Sequence, residues 1–206
     1  MSSTDTVRQV DDAYPGPLRG APLSVELHNT LYAVGGRPVD GLADGEGLRR
    51  WLSAIDAQLP LSATSVDTGR HGDFLGLREL TRDALAAVVA GRPQSSATTD
   101  ALNSLSASAP RFRVLEDDGA ARWRIAAADP TDAVIAVLAS DAIDVVGGPH
   151  AADLRTCGAP GCVLMFLKDH PRREWCSAAC GNRARQARHY AKTGDRRSIR
   201  ARKNGA

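Results

Sequence analysis

Along most of the chain the apolar residues recur at helical spacing. Leu23, Leu27, Leu31 and Val34 keep a three-to-four-residue period that stops at Gly35-Gly36, which predicts an amphipathic helix. The alternation Leu23, Val25, Leu27 also permits a strand. Residues 37–42 read as a short extended segment. Asp44 stands where an N-cap is needed for a helix over 45–59, whose apolar face is Leu48, Trp51, Leu52 and Ile55. Asp73 offers a second cap, for a helix through Leu77, Leu80, Leu85, Val88 and Val89 that stops near Gly91-Arg92-Pro93. Thr98 or Thr99 would cap a shorter helix carrying Leu102 and Leu105. Residues 111–116 and 121–127 flank Asp117-Asp118-Gly119, a hairpin signal. Asp129-Pro130 pairs a cap residue with proline at the first helical position. It opens a helix through Val134, Ile135, Leu138, Ile143 and Val146 to Gly147-Gly148.

These elements give an α+β chain, with helices predominating around a small hairpin-based sheet. Residues 1–20 mix Ser, Asp, Pro and Gly and read as a flexible arm. A body follows over 21–148, with its boundary within 147–152, then a compact module over 153–192 and a basic, flexible tail over 193–206. Hydrophobic content of 43% is enough for a packed core and excludes wholesale disorder. Residues 1–17 lack the cationic start and apolar run of a signal peptide. No apolar stretch approaches the roughly 18–20 residues of a membrane span. A soluble cytoplasmic protein is expected.

Charge divides the chain. Residues 1–154 hold 13 Lys+Arg against 21 Asp+Glu, a balance of −8, and residues 155–206 hold 13 against 3, a balance of +10. An acidic body carrying a basic end points to a polyanionic partner, the bland alternative being a solvated tail.

The same basic end holds all 4 cysteines, Cys157, Cys162, Cys176 and Cys180. Two close pairs separated by a short segment suit a tetrahedral Zn²⁺. In a reducing cytosol such pairs bind metal more often than they form structural disulfides. Glycine and proline in Cys157-Gly-Ala-Pro-Gly-Cys162 allow a tight turn around a metal. Residues 163–167 read as a strand, residues 173–175 as a returning second strand, and a helix should begin at Cys176 and run to about Lys192. On that helix Cys176 and Cys180 share one face with Ala184, Ala187 and Ala191, small residues suited to close packing. Asn182, Arg185, Arg188, His189 and Lys192 fall on the opposite face. A turn with two ligands, a hairpin, and a helix with two more form a treble-clef-like finger. Four thiolates fill the shell, so the site is structural and leaves no position for water or substrate. His170 and His189 are then turn and surface residues, not ligands.

The run from Trp175 through Cys176-Ser-Ala-Ala-Cys180-Gly181-Asn182-Arg183 to Ala184-Arg185, preceded by Cys157-x4-Cys162 and Phe166, closely resembles the CGNR zinc-finger family over residues 154–192. In that family the finger ends a chain whose N-terminal part is the ABATE domain of stress-induced transcription regulators. The N-terminal resemblance rests on Leu27-His28-Asn29-Thr30, on Leu77-Arg78-Glu79-Leu80, and on the order hairpin, helix, finger. His28 departs from the commoner apolar residue there. The resemblance implies transcription regulation and double-stranded DNA binding through the finger.

On that reading Arg183, Arg185, Arg188, His189 and Lys192 meet phosphates or guanine edges, and Arg172 and Arg173 clamp the backbone from the other side. Asn182 either reads adenine or caps backbone groups beside the zinc. The body would sense a signal, dimerise, or both. His28, Asn29, Arg78 and Glu79 are polar positions in apolar segments and candidate lining for a small-molecule effector pocket. The alternative is a zinc-dependent module that binds RNA or protein. Phosphate-cradle, zinc-protease and nucleophile-elbow motifs are missing, so no enzyme is expected.

Overall fold

The computed structural model describes residues 13–203, with side chains as far as Ala191. The apolar period that starts at Leu23 divides into two elements instead of one helix. Helix α1 (Leu23–His28) is followed by strand β1 (Leu31–Val34), paired antiparallel with β2 (Arg37–Asp40). The helix stops because Thr30 turns back on it: its N–H and its hydroxyl both donate to the Leu27 carbonyl, at 3.2 and 2.7 Å. Gly35 and Gly36, with φ of 58° and 80°, supply the two left-handed residues of a tight hairpin turn.

Helix α2 (Gly45–Ile55) is capped as expected, Asp44 accepting from the Gly47 N–H at 2.8 Å. Its face of Leu48, Trp51, Leu52 and Ile55 is fully buried. The last predicted turn is a separate 3-10 turn, Asp56–Gln58. Helix α3 (His71–Val89) begins two residues before Asp73, so Asp73 is not its cap. Asp67 caps the 3-10 turn that leads in, and Asp73 accepts from Arg70 Nε at 2.8 Å. In α4 (Ser96–Ala107) the cap is Ser95, which accepts from the Thr98 N–H at 3.1 Å; neither threonine caps it. Strands β3 (Arg111–Leu115) and β4 (Ala121–Ile125) form the predicted hairpin. Asp129 caps α5 (Pro130–Gly147), with Pro130 at its start. Alpha-helices 1 to 5 bury one core, built on Leu27, Trp51, Phe74, Leu77 and Leu138.

The finger is made by β5 (Leu154–Thr156), β6 (Met165–Leu167) and α6 (Ala178–Lys203). Its hairpin is β5 with β6, so the Cys157–Cys162 turn is the hairpin loop itself, and residues 173–175 form no second strand. The finger is packed onto the body. Val25, Leu85 and Val145 share a core with Leu154 and Met165, and Tyr32 joins the cysteines and Phe166 in another. The expected loose arm is fixed over its described part. Tyr14 packs on the main core, and the Arg19 and Ala21 N–H groups donate to the buried Glu26 carboxylate at 2.7 and 2.9 Å. Residues 1–12 lie outside the described residues. Among the described residues no helix is long and apolar enough to cross a membrane.

Candidate metal centre and basic helix

The four cysteine sulfurs lie within 4.8 Å of one another. Cys162 and Cys176 are 3.8 Å apart, Cys176 and Cys180 3.5 Å, and Cys180 and Cys162 3.8 Å. Zinc–sulfur bonds of about 2.3 Å arranged tetrahedrally place sulfurs about 3.8 Å apart, so the donors fit the ion in number, chemistry and spacing. A disulfide, with sulfurs about 2 Å apart, does not match this spacing, and all four cysteines are free. Cys157, Cys162, Cys176 and Cys180 together can hold a structural Zn²⁺.

Local chemistry sets each donor. Gly161, with φ of 69°, turns the chain back into Cys162, whose N–H donates to the Ala159 carbonyl at 3.0 Å. The Cys176 N–H donates to the Cys157 sulfur at 3.4 Å, linking the two halves of the site. Cys176 precedes α6 and does not begin it. Ser177 caps the helix, its hydroxyl accepting from the Cys180 N–H at 3.2 Å. Burial pushes the Cys162 and Cys176 thiols up, and neighbouring sulfurs add to it. Burial acts the same way on Cys180, but hydrogen bonds with Ser177 and the other thiols outweigh it and hold that thiol below its ordinary value. Several thiolates in one dry cluster need a compensating cation, and a bound divalent metal supplies it.

Beyond the site, α6 is mostly exposed as far as Ala191. Ala184 is buried, but Ala187 and Ala191 are exposed and line an open groove with Gly158, Pro160 and Trp175. The helix also runs on to Lys203, past the expected end near Lys192 and into the expected flexible tail. The side chains of Lys192 and of the tail lie outside the described residues.

The other candidate DNA-contact residues fall into two groups. Arg185 and Arg188 are exposed and stack on the Trp175 ring, their guanidinium carbons 5.8 and 5.7 Å from its centroid. Asn182 is exposed and accepts from Arg185 at 2.5 Å, so it caps no backbone group near the cysteines. Arg172 is exposed, as is His189, whose ring makes an edge contact with Tyr190. Arg173 and Arg183, the latter also exposed, make their contacts within the finger. Arg173 pairs with Asp169 at 2.8 Å, donates to the carbonyls of Trp175 and Cys176, and covers Phe166. Arg183 donates to the Cys180 sulfur at 3.3 Å.

The candidate effector residues His28, Asn29, Arg78 and Glu79 do not line a common pocket. Asn29 is fully buried and bonded to the main chain of Met165. Arg78 is buried and forks onto Asp40 at 2.6 and 2.8 Å, also donating to Thr30, which ties α3 to the first hairpin. Glu79 is exposed and pairs with Arg82 at 2.9 Å. His28 is buried, its Nδ1 without a partner, and burial depresses its pKa to about 4. A cleft of about 320 Å³ does exist where body and finger meet, lined by Pro15, Arg19, Tyr32, Val34, Leu164 and Arg183 and by none of these four. Sequence reasoning missed Asn29 and Arg183 as structural donors. A polar residue inside an apolar segment was the available signal for Asn29.

Residues 21–149 match the family model ABATE, described as "Putative stress-induced transcription regulator", and residues 154–193 match that of the CGNR zinc finger. No curated protein matches the chain.

Proposed function

The chain belongs to the ABATE family and closes in a CGNR zinc finger, and from that premise we propose that it is a cytoplasmic, DNA-binding transcriptional regulator. One observation carries the reading. A helix fixed at its N-terminus by the cysteine cluster leaves the finger with exposed arginines, Arg185 and Arg188, that have no carboxylate partner among the described residues and are held against Trp175. Helices presented in this way suit the major groove or the phosphate backbone. Arg172, Asn182 and His189 flank that surface, while Arg173 and Arg183 support the fold of the finger. The acidic body serves sensing, dimerisation, or both. The protein acts by binding and not by catalysis, since four thiolates close the metal shell.

The test is an anisotropy titration of zinc-loaded protein against its own upstream duplex, with scrambled duplex and RNA as controls, at two salt concentrations. The expected result is preference for the upstream duplex, weakening with salt at a log–log slope of about −0.9 per phosphate neutralised. Arg185→Ala with Arg188→Ala should abolish it. Tighter binding to RNA, or weak binding to all three, would move the finger to the alternative role of RNA or protein recognition.

A further inference from the structure

The hairpin β3–β4 is the most exposed regular element of the body. Only Val114 and Ile125 of its ten strand residues are even partly covered. Phe112 is 48% exposed, Leu115 75% and Trp123 60%. Two-stranded ribbons are marginal in water, and their free edges invite another strand. Of the usual guards, an edge proline, a bulge and an inward lysine are missing from β3, and the charges of Arg111 and Arg113 remain.

The pairing pattern says which groups that edge offers. Ala126 donates to the Pro110 carbonyl and Glu116 to that of Ala120. Alternation then turns the N–H and C=O of Phe112 and Val114 toward β4, and those of Arg111, Arg113 and Leu115 outward. Charge along this edge is graded. Arg111 and Arg113 lie toward the base; among the described residues neither has a carboxylate partner, Arg111 donating to the Ser140 hydroxyl and Arg113 to the Ala121 carbonyl, and both stack on Trp123 at 5.7 and 5.2 Å. Asp117, at the tip, has no ion pair among the described residues either, whereas Glu116 and Asp118 are taken by Arg124 and Arg122.

We propose that this ribbon joins two copies of the chain, β3 pairing antiparallel with β3 of the second copy about Val114. In that register Arg113 lies opposite Leu115 of the second copy, so outward N–H and C=O groups meet their partners. Beyond the strand's end, Arg111 faces the turn of the second copy at Asp117, twice by symmetry, and the two side chains offset each other's charge. Leu115 comes to rest beside the Arg113–Trp123 stack, covering the most exposed apolar side chains. The assembly carries two fingers related by a two-fold axis, as DNA readers of two half-sites require. The proposal rests on the dimeric reading of the body and is independent of DNA binding.

Sedimentation velocity of the zinc-loaded full chain, over a range of micromolar concentrations, tests it. The wild type should sediment as a dimer. Arg111→Asp and Asp117→Arg should each weaken the dimer about tenfold, by placing like charges opposite each other twice. The double variant, which exchanges the charges, should recover it. Arg113→Pro removes an outward main-chain N–H and spares the main-chain β3–β4 bonds, while losing the side chain's own bond to the Ala121 carbonyl and its stack on Trp123, and should give monomer whose body keeps its helical signal. A wild-type dimer indifferent to all four variants would overturn the ribbon interface and leave the dimeric reading standing. A monomer at every concentration would overturn both. Monomers whose affinity for nucleic acid falls in these variants would assign the ribbon to DNA or RNA and overturn the proposal.

Discussion

The side-chain amide of Asn29 and the main chain of Met165 exchange two hydrogen bonds, 3.0 and 2.9 Å long, across 136 positions of sequence. Asn29 Nδ2 donates to the Met165 carbonyl, and its Oδ1 accepts the Met165 N–H. The amide thus behaves as an extra strand residue beside β6, and it joins the body to the finger in a fully buried position. Asn29→Leu keeps the volume and strands two buried backbone groups, at a cost of about 2–4 kcal/mol. The variant should melt lower and be cut earlier by protease in the segment joining α5 to β5. Asn29→Asp keeps the acceptor and loses the donor, so its loss should be intermediate. An unchanged melting curve for Asn29→Leu would mean that the apolar contacts of Val25 and Leu85 with Met165 hold the joint alone.

Metal content is the next expectation. One zinc per chain should be found by mass spectrometry, and replacing any of Cys157, Cys162, Cys176 or Cys180 with serine should abolish tight retention. Structural zinc in finger peptides supplies about 10–16 kcal/mol of apparent free energy. Chelation should therefore unfold the finger and expose Trp175, while the helical signal of the body persists, because its main core contains no cysteine. Retention of zinc by a serine variant, or full loss of body helicity on chelation, would contradict this division.

Acid sensitivity should come in part from His28. Burial, followed by the charge of Arg82, lowers its pKa from 6.5 to about 4 in the fold. A depressed histidine favours folding while neutral, so its contribution is complete above about 6.5 and is lost as pH falls toward 4, where the unfolded chain takes up the proton first. That window is worth roughly 3 kcal/mol. His28→Leu removes the titration. Urea denaturation of both proteins from neutral pH to pH 4 should show the variant gaining on the wild type by about that amount. Parallel pH profiles would assign the acid loss to other groups, such as Asp40, whose carboxyl is held low by the Arg78 fork and loses its stabilising charge only at more acid pH.

The local signals in the sequence were enough for α2, α5 and the β3–β4 hairpin, because each carries its own cap or turn: Asp44, Asp129-Pro130, and the acidic turn at Gly119. The cysteine set was equally plain, since ligand chemistry needs only identity and spacing. What failed was decided by distant contacts. The apolar period through Leu31 and Val34 continues as a helix on paper, yet Tyr32 is drawn into the cluster around Phe166, far along the chain. The helix expected to begin at Cys176 starts after it, because Ser177 takes the cap position and accepts the Cys180 N–H. Arg78 looked like a pocket residue because its partner, Asp40, lies 38 positions away. The alanine stripe of α6 predicted packing that occurs only at Ala184.

Arg183 and Arg188 lie on one helix and should fail in different assays. Arg183 donates to the Cys180 sulfur, so it offsets the negative charge of a tetrathiolate site and orients one ligand. Arg188 touches no cysteine and rests on Trp175. Arg183→Ala should speed the transfer of zinc to a chromophoric chelator by about 10-fold or more, the scale set by outer-shell partners of metal ligands. Arg188→Ala should leave that transfer unchanged. In DNA titration Arg188→Ala should weaken binding on all duplexes and reduce the salt slope by about 1, the mark of one lost phosphate contact. Arg183→Ala, measured with zinc in excess, should keep the wild-type slope. If Arg183→Ala loses the slope and keeps its zinc, its guanidinium has turned outward to a phosphate on binding, and the contact with Cys180 belongs to the free protein alone.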